Sequence, residues 1–96
     1  MAKTGKLAGC VALVTGGGGA IGGAICRLYA SEGAQVLVAD LRAEEAQAVA
    51  NEIGDAARSF ALDVADSAQG RAAVSYAVEV FGALHILVNV AAAVTP

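Results

Sequence analysis

The chain has 96 residues, of which 57% are hydrophobic and 16% are charged, and its formal net charge is −3. Nine acidic residues against six basic ones leave no basic patch for nucleic acid and no cationic face for an anionic membrane. The apolar content exceeds what so short a core can bury. We therefore expect the chain to be one part of a larger α/β domain or to pack permanently against a partner.

The N-terminal region contains an uncharged run of twenty residues between Lys6 and Arg27. That length could span a bilayer, but seven of the twenty are glycine, which makes a helix costly in backbone entropy. Residues 7–10 also match a lipid-attachment box, but the six residues before it are too few for a signal core. We predict a cytoplasmic protein without a membrane segment.

Apolar runs of strand length alternate with segments of helical period along the chain. The predicted strands are residues 10–15, 35–40, 58–62 and 85–89, and the predicted helices are residues 20–31, 43–53 and 67–81. Such alternation predicts parallel strands joined by right-handed crossovers, and continuous apolar strands predict cover on both faces. We predict a Rossmann-type α/β fold, a doubly wound parallel sheet whose βαβαβαβ portion has the strand order 3-2-1-4.

Turn residues agree with this division into elements. Gly33 and Gly54 stand where a helix ends and a left-handed residue is needed, and Asp66, with Gln69 three residues later, suits the start of a helix. No repeat or linker divides the chain. We expect residues 1–96 to form one dinucleotide-binding domain that is incomplete on its C-terminal side.

A glycine-rich segment joins the first predicted strand to the first predicted helix. Gly17, Gly19 and Gly22 have the spacing of the dinucleotide pattern G-x-G-x-x-G. Glycines let backbone N–H groups approach a pyrophosphate closely, and the following helix directs the positive end of its dipole at the anion. No lysine follows as Gly-Lys-Ser/Thr, so the segment is not predicted to be a nucleoside triphosphate P-loop.

Asp40 ends the second predicted strand, eighteen residues after Gly22. A carboxylate there can accept both hydroxyl protons of an adenosine ribose and would repel the additional phosphate of NADP. We expect NAD rather than NADP, although Arg42 nearby leaves some tolerance for a phosphate. Two alternatives stay open: Asp40 only caps the helix that begins at residue 43, or the arrangement binds S-adenosylmethionine in a methyltransferase.

Three segments carry a family resemblance. Residues 15–22, Thr-Gly-Gly-Gly-Gly-Ala-Ile-Gly, resemble the T-G-x-x-x-[GA]-x-G signature of the short-chain dehydrogenase/reductases. Residues 63–64 resemble the family's Asp-Val pair, which holds the adenine. Residues 87–92 resemble its L-V-N-N-A-G segment, which stabilises the central sheet and lines the nicotinamide side. The resemblance implies cofactor contacts at Gly16, Gly18, Gly19, Ala20, Ile21, Gly22, Asp40, Leu41, Asp63, Val64, Asn89, Val90 and Ala91.

The chain departs from the family pattern at a few positions. Ala20 stands where glycine is more common, and Val90 and Ala92 replace the usual asparagine or alanine and the usual glycine. Gly19 lacks the basic or hydroxyl side chain that NADP-preferring relatives often carry at that position. This last difference again favours NAD.

No residue of this sequence can be assigned to catalysis. The family uses a serine, an asparagine and a Tyr-x-x-x-Lys pair, in which the lysine lowers the pKa of the tyrosine. Tyr29 and Tyr76 have no lysine four residues later, and we expect both to pack within helices. Cys10 and Cys26 are predicted to be buried free thiols, and the isolated His85 to be a polar entry to a strand, so no metal site is predicted.

Two functions follow as hypotheses. The first is the NAD(H)-binding portion of a short-chain oxidoreductase that interconverts an alcohol and a carbonyl by hydride transfer and that, by resemblance, forms a homo-oligomer when complete. The second is a truncated, non-catalytic module that binds a nucleotide or a partner. A serine followed by Tyr-x-x-x-Lys in a continuation of the reading frame would distinguish the first from the second.

Overall fold

The computed structural model describes residues 5–90, in which strands and helices alternate. The elements are β1 (Val11–Thr15), α1 (Ala20–Ser31), β2 (Gln35–Asp40), α2 (Ala43–Ile53), β3 (Ala57–Ala61), α3 (Ser67–Phe81) and β4 (Ile86–Asn89). The predicted order and types of the elements are confirmed, and the predicted bounds of three strands are wrong by one residue. At β4 the difference is one of definition, because the His85 amide already donates to the Val11 carbonyl at 2.9 Å.

The four strands form one parallel sheet in the order β3-β2-β1-β4, which confirms the predicted fold. β1 lies between β2 and β4, with Leu13 opposite both Leu37 and Leu87. Successive strands move outward from β1 to β3, and β4 then returns to the other side of β1. The carboxyl ends of β1 and β4 therefore lie next to each other at the point where the strand order reverses.

Alternate strand residues supply two apolar layers, one on each face of the sheet. Val14, Val36 and Val38 pack with Cys26 of α1 and Ala46 of α2 on the first face. On the second face a smaller layer packs against α3; its buried members are Leu13, Leu37, Ala39, Leu62, Ala73 and Ala77. The sheet is thus covered by two helices on one side and by one helix on the other.

Cover on both faces is complete for the central strands only. Every residue of β1 is buried, whereas β4 alternates between half-buried and exposed positions, and 63% of Leu87 is exposed. β3 has one buried residue among its five. The prediction that all four apolar strands are covered on both faces is therefore wrong for β3 and β4, because they are the edges of the described sheet and α3 packs over β1 and β2.

The predicted turn residues have the conformations that the sequence requires. Gly33 and Gly54 both have a φ of 96°, a region that residues with a Cβ rarely adopt. Asp66 begins α3 by accepting hydrogen bonds from the amides of Ala68 and Gln69 at 2.9 and 3.2 Å. These caps fix where α1, α2 and α3 begin or end.

The uncharged N-terminal run divides among a turn, β1, the glycine turn and α1. None of the helices within residues 5–90 has both the length and the apolar character needed to cross a bilayer. Both cysteines are free, as predicted, but Cys10 is only partly buried. Burial raises the pKa of the Cys26 thiol from 9.0 to about 11, so this thiol is protonated and inert near neutral pH.

A substitution at the centre of the sheet tests this packing. Leu37 is fully buried, so Leu37→Ala is expected to lower the free energy of unfolding by about 2–5 kcal/mol through lost burial and a residual cavity. Leu28→Ala, at a position that is 58% exposed, should change it by about 0.5 kcal/mol or less. Urea denaturation followed by circular dichroism measures both, and equal losses would contradict the assigned core.

Candidate functional site

The turn between β1 and α1 depends on two glycines. Gly16 has a φ of 69°, the left-handed conformation that turns the chain out of β1. A Cβ on Gly22 would collide with the carbonyl oxygen of Gly16, and it would lie only 2.9 Å from the Cα of Gly17. The first turn of α1 therefore lies directly on the turn that precedes it.

The middle of the turn packs against β2 and α2. A Cβ on Gly17 would lie 2.8 Å from Cγ1 of Val38, and one on Gly18 would lie 2.8 Å from the backbone of Glu45. Gly19 differs, since the nearest atom to its added Cβ is the Gly16 oxygen at 3.6 Å, an ordinary contact. Space thus allows a side chain at Gly19, whereas Gly17 and Gly18 are held by packing.

The backbone amides divide the turn into a structural part and a free part. Those of Gly17, Gly18 and Gly19 donate within the protein, to the Ala39 carbonyl, the Asp40 carboxylate and the Gly16 carbonyl. The free part is made up of the amides of Ala20, Ile21 and Gly22, which have no hydrogen-bond acceptor within residues 5–90.

No side chain caps the N-terminus of α1, and its first turn carries no acidic residue. Gly19, the N-cap residue, has no side chain to offer. The positive end of the helix dipole and the free amides that follow Gly19 therefore coincide, which is the arrangement that binds a phosphate group.

Asp40 at the end of β2 is 7% exposed and lies against this turn. One carboxylate oxygen accepts from the Gly18 amide at 3.0 Å and the other from the Arg42 amide at 2.9 Å. Asp40 is not the N-cap residue of α2, which is Arg42, and its bond to that end of the helix is to the Arg42 amide. A carboxylate has about four lone-pair positions, so about two remain for further donors.

Two further predicted contact segments follow β2 and β3 at the same edge of the sheet. Leu41 and Val64 are 70% and 40% exposed, which leaves apolar surface at this edge of the sheet. The amide of Asp63 donates to the Gln69 side chain at 2.8 Å, and its carboxylate accepts from the Ala65 amide at 2.9 Å. Asp63 is thus fixed in orientation by a local network.

Asn89 at the end of β4 is tied to β1. The Thr15 hydroxyl donates to the side-chain oxygen of Asn89 at 2.7 Å, and the Val90 amide donates to the Thr15 carbonyl at 3.2 Å. Ala91, the last predicted contact, lies outside the described residues. Thr15 was not among the predicted site residues, although it begins the glycine signature and is the residue that orients Asn89.

Both tyrosines pack against the apolar layers of the sheet. Tyr29 packs against the first apolar layer, and the ring of Tyr76 lies 5.4 Å from that of Phe60 beside the second. The expectation that both tyrosines pack within the helical layers is confirmed.

A cavity of about 590 Å³ lies between α3 and the strands β1 and β4. Many of its walls are apolar, among them Leu13, Leu62, Val74 and Leu87, and Thr15, Val64 and Asn89 also line it. Apolar walls do not stabilise a pyrophosphate, whereas free amides at a helix N-terminus do. The glycine turn is therefore the candidate site for a dinucleotide.

Comparison with known proteins agrees with this geometry. Residues 10–96 match the family described as short chain dehydrogenase. The chain belongs to this family. Members of this family have an NAD(P)-binding Rossmann portion. The alternative that the chain belongs to a methyltransferase is therefore wrong.

Named relatives and solved structures place the chain among oxidoreductases. It is 50% identical over 86 residues to a 3-alpha-(or 20-beta)-hydroxysteroid dehydrogenase of Mycobacterium tuberculosis, which covers 90% of this chain and 33% of that protein. It is 47% identical to D-threitol dehydrogenase of Mycolicibacterium smegmatis, covering 88% of this chain and 34% of the relative. The chain therefore spans about a third of the length of these curated relatives.

Two crystal structures share the fold. A short chain dehydrogenase from Mycobacterium avium has a TM-score of 0.88 at 38% identity, covering 96% of this chain and 36% of that one. The 3-ketoacyl-(acyl-carrier-protein) reductase of Brucella melitensis complexed with NADH has a TM-score of 0.84 at 41% identity, covering 85% and 34%.

The close contact at Gly22 yields a direct test. Gly22→Ala would force the Gly16 carbonyl and the start of α1 apart, so we expect dinucleotide affinity to fall about a hundredfold or more, about 2.7 kcal/mol. The matched control is Gly70→Ala, in a helix where an added Cβ meets nothing within 4 Å. Isothermal titration with NADH measures both variants, and unchanged affinity in Gly22→Ala would contradict the assigned site.

Proposed function

We propose that this chain is the NAD(H)-binding portion of a short-chain oxidoreductase that interconverts an alcohol and a carbonyl by hydride transfer. The observation that carries the proposal is the buried carboxylate of Asp40, which lies against the glycine turn and retains lone pairs for two ribose hydroxyls. The dehydrogenase names of the relatives and the NADH complex of the Brucella reductase support it.

The free amides and the dipole of α1 bind the pyrophosphate in this proposal. The donors are the amides of Ala20, Ile21 and Gly22, while Gly16, Gly18 and Gly19 form the turn that presents them. Because these amides are already oriented by α1, they need no reorganisation when an anion arrives. The turn thus acts as a preformed anion cradle.

The remaining predicted contacts divide between the two ends of the cofactor. Asp40 holds the adenosine ribose, and Leu41, Asp63 and Val64 border the adenine. Asn89, held by Thr15, borders the nicotinamide together with Val90 and Ala91. Bound NAD supplies the ring that accepts or donates a hydride.

Cofactor choice follows from charge. A carboxylate in a poorly solvated position repels the additional phosphate of NADP more strongly than it would in water, since the effective dielectric constant is lower there. Asp40 is fixed by two amides and cannot turn away without losing both hydrogen bonds. We therefore propose NAD as the preferred cofactor.

The catalytic serine, tyrosine and lysine of the family, its substrate site and its oligomer contacts belong to the complete enzyme in this proposal. The chain accounts for about a third of its curated relatives, so the intact mass of the polypeptide from its native source is informative. A mass well above 9.4 kDa supports the oxidoreductase. A mass of 9.4 kDa favours the alternative, a non-catalytic module that binds a nucleotide or a partner.

Asp40→Asn tests the cofactor assignment. The amide keeps one acceptor for the turn but removes the negative charge, so the preference for NADH over NADPH should fall about tenfold, about 1.4 kcal/mol. Asp55→Asn, an exposed aspartate in the turn before β3, removes the same charge away from the site. Fluorescence titration with both reduced cofactors gives the ratio of Kd values, and an unchanged ratio in Asp40→Asn would contradict the assignment.

A further inference from the structure

The guanidinium of Arg42 lies between two carboxylates at the mouth of the glycine turn. Its Nε is 3.6 Å from Oδ1 of Asp40, and its Nη1 is 3.5 Å from Oε2 of Glu45. Its third nitrogen, Nη2, is 4.0 Å from the position that a Cβ on Gly19 would occupy. A cation is therefore already present beside the proposed phosphate cradle, with two anions competing for it.

Glu45 is held close to this cation by the packing of the turn. A Cβ on Gly18 would come within 2.8 Å of both the Cβ and the carbonyl carbon of Glu45, so the first turn of α2 lies directly on the glycine segment. Glu44 precedes Glu45 in the same turn of α2 but forms no ion pair among residues 5–90. Of the two glutamates, Glu45 is the one that pairs with Arg42 among residues 5–90.

The two carboxylates differ in what they can do. Asp40 is nearly buried and is fixed by backbone amides, whereas the Arg42 side chain is 59% exposed and can move toward any nearby anion. With Glu45 present, the three side chains sum to one negative charge. Without it they sum to zero, and the guanidinium loses the partner that holds it over α2.

We propose that Glu45 is a specificity-determining residue, which keeps Arg42 from binding the 2′-phosphate of NADP and so preserves the preference for NAD. The inference rests on the proposed function, in which the adenosine ribose binds at Asp40. Discrimination then has two parts: Asp40 repels the phosphate, and Glu45 withholds a neighbouring cation that would attract it.

Glu45→Gln is the variant that tests the proposal, with Glu44→Gln as the matched control. Because an exposed ion pair is weak and is screened by salt, we expect a threefold to tenfold lower Kd for NADPH in low salt and a change of less than twofold for NADH. Glu44→Gln should leave the ratio of the two Kd values unchanged. The double variant Arg42→Gln/Glu45→Gln should lose the gain, and raising the salt to about 0.5 M should shrink it.

Isothermal titration with NADH and NADPH separates the outcomes. A gain for NADPH in Glu45→Gln that requires Arg42 and is absent in Glu44→Gln supports the proposal. An equal gain in both single variants, a gain that persists without Arg42, or no gain while the original protein binds NADH, overturns it and leaves the proposed function standing. If the original protein binds neither cofactor, the proposed function fails and this inference fails with it.

Discussion

The contact between Gly22 and the carbonyl of Gly16 is the constraint on which the rest of the site depends. No Cβ fits between them, so α1 begins directly on the turn that leaves β1. This glycine turn also packs against Val38 of β2, which fixes the distance of the turn from the sheet. Because of this close approach, the free amides of α1 lie at the edge where β1 and β4 end, which is the crevice that ligands of doubly wound sheets occupy.

Asp40 has a structural part in this arrangement and, in the proposed function, a part in binding the cofactor. A nearly buried carboxylate is costly unless hydrogen bonds compensate it, and the amides of Gly18 and Arg42 provide them. The same bonds fix the middle of the glycine turn to β2. A single side chain therefore connects the geometry of the proposed phosphate cradle to the place where the ribose is proposed to bind, and changes at Asp40 are expected to affect both.

Local signals predicted the order of the elements and much of the turn chemistry. Gly33, Gly54 and Asp66 act through their own backbone or their nearest neighbours, so their conformations could be read from the sequence. The exposure of Leu87 could not be predicted, because an apolar strand has the same sequence pattern whether or not a helix covers it. The pattern of apolar residues indicates which side chains of a strand could be buried. It does not indicate which helix, if any, packs against them.

The hydrogen bonds and ion pairs of the site could not be predicted from the sequence either. The hydrogen bond from Gly18 to Asp40 joins residues 22 positions apart, and the position of Arg42 between Asp40 and Glu45 depends on how α2 packs on the turn. The spacing from Gly22 to Asp40 indicated that a carboxylate would be near the turn. Only the fold shows which backbone amides donate to the Asp40 carboxylate and which amides of the turn have no acceptor within residues 5–90.

In the proposed function, the glycine turn and Asp40 together form the NAD site. A titration of the ¹⁵N-labelled protein with NADH, followed by amide chemical shifts, tests it most directly. We expect the largest shifts at Ala20, Ile21 and Gly22, with the amides around Asp40 next and Val74, on the α3 wall of the apolar cavity, little affected. Saturable shifts confined to the α3 wall of that cavity, or no shift at the turn, would contradict this site.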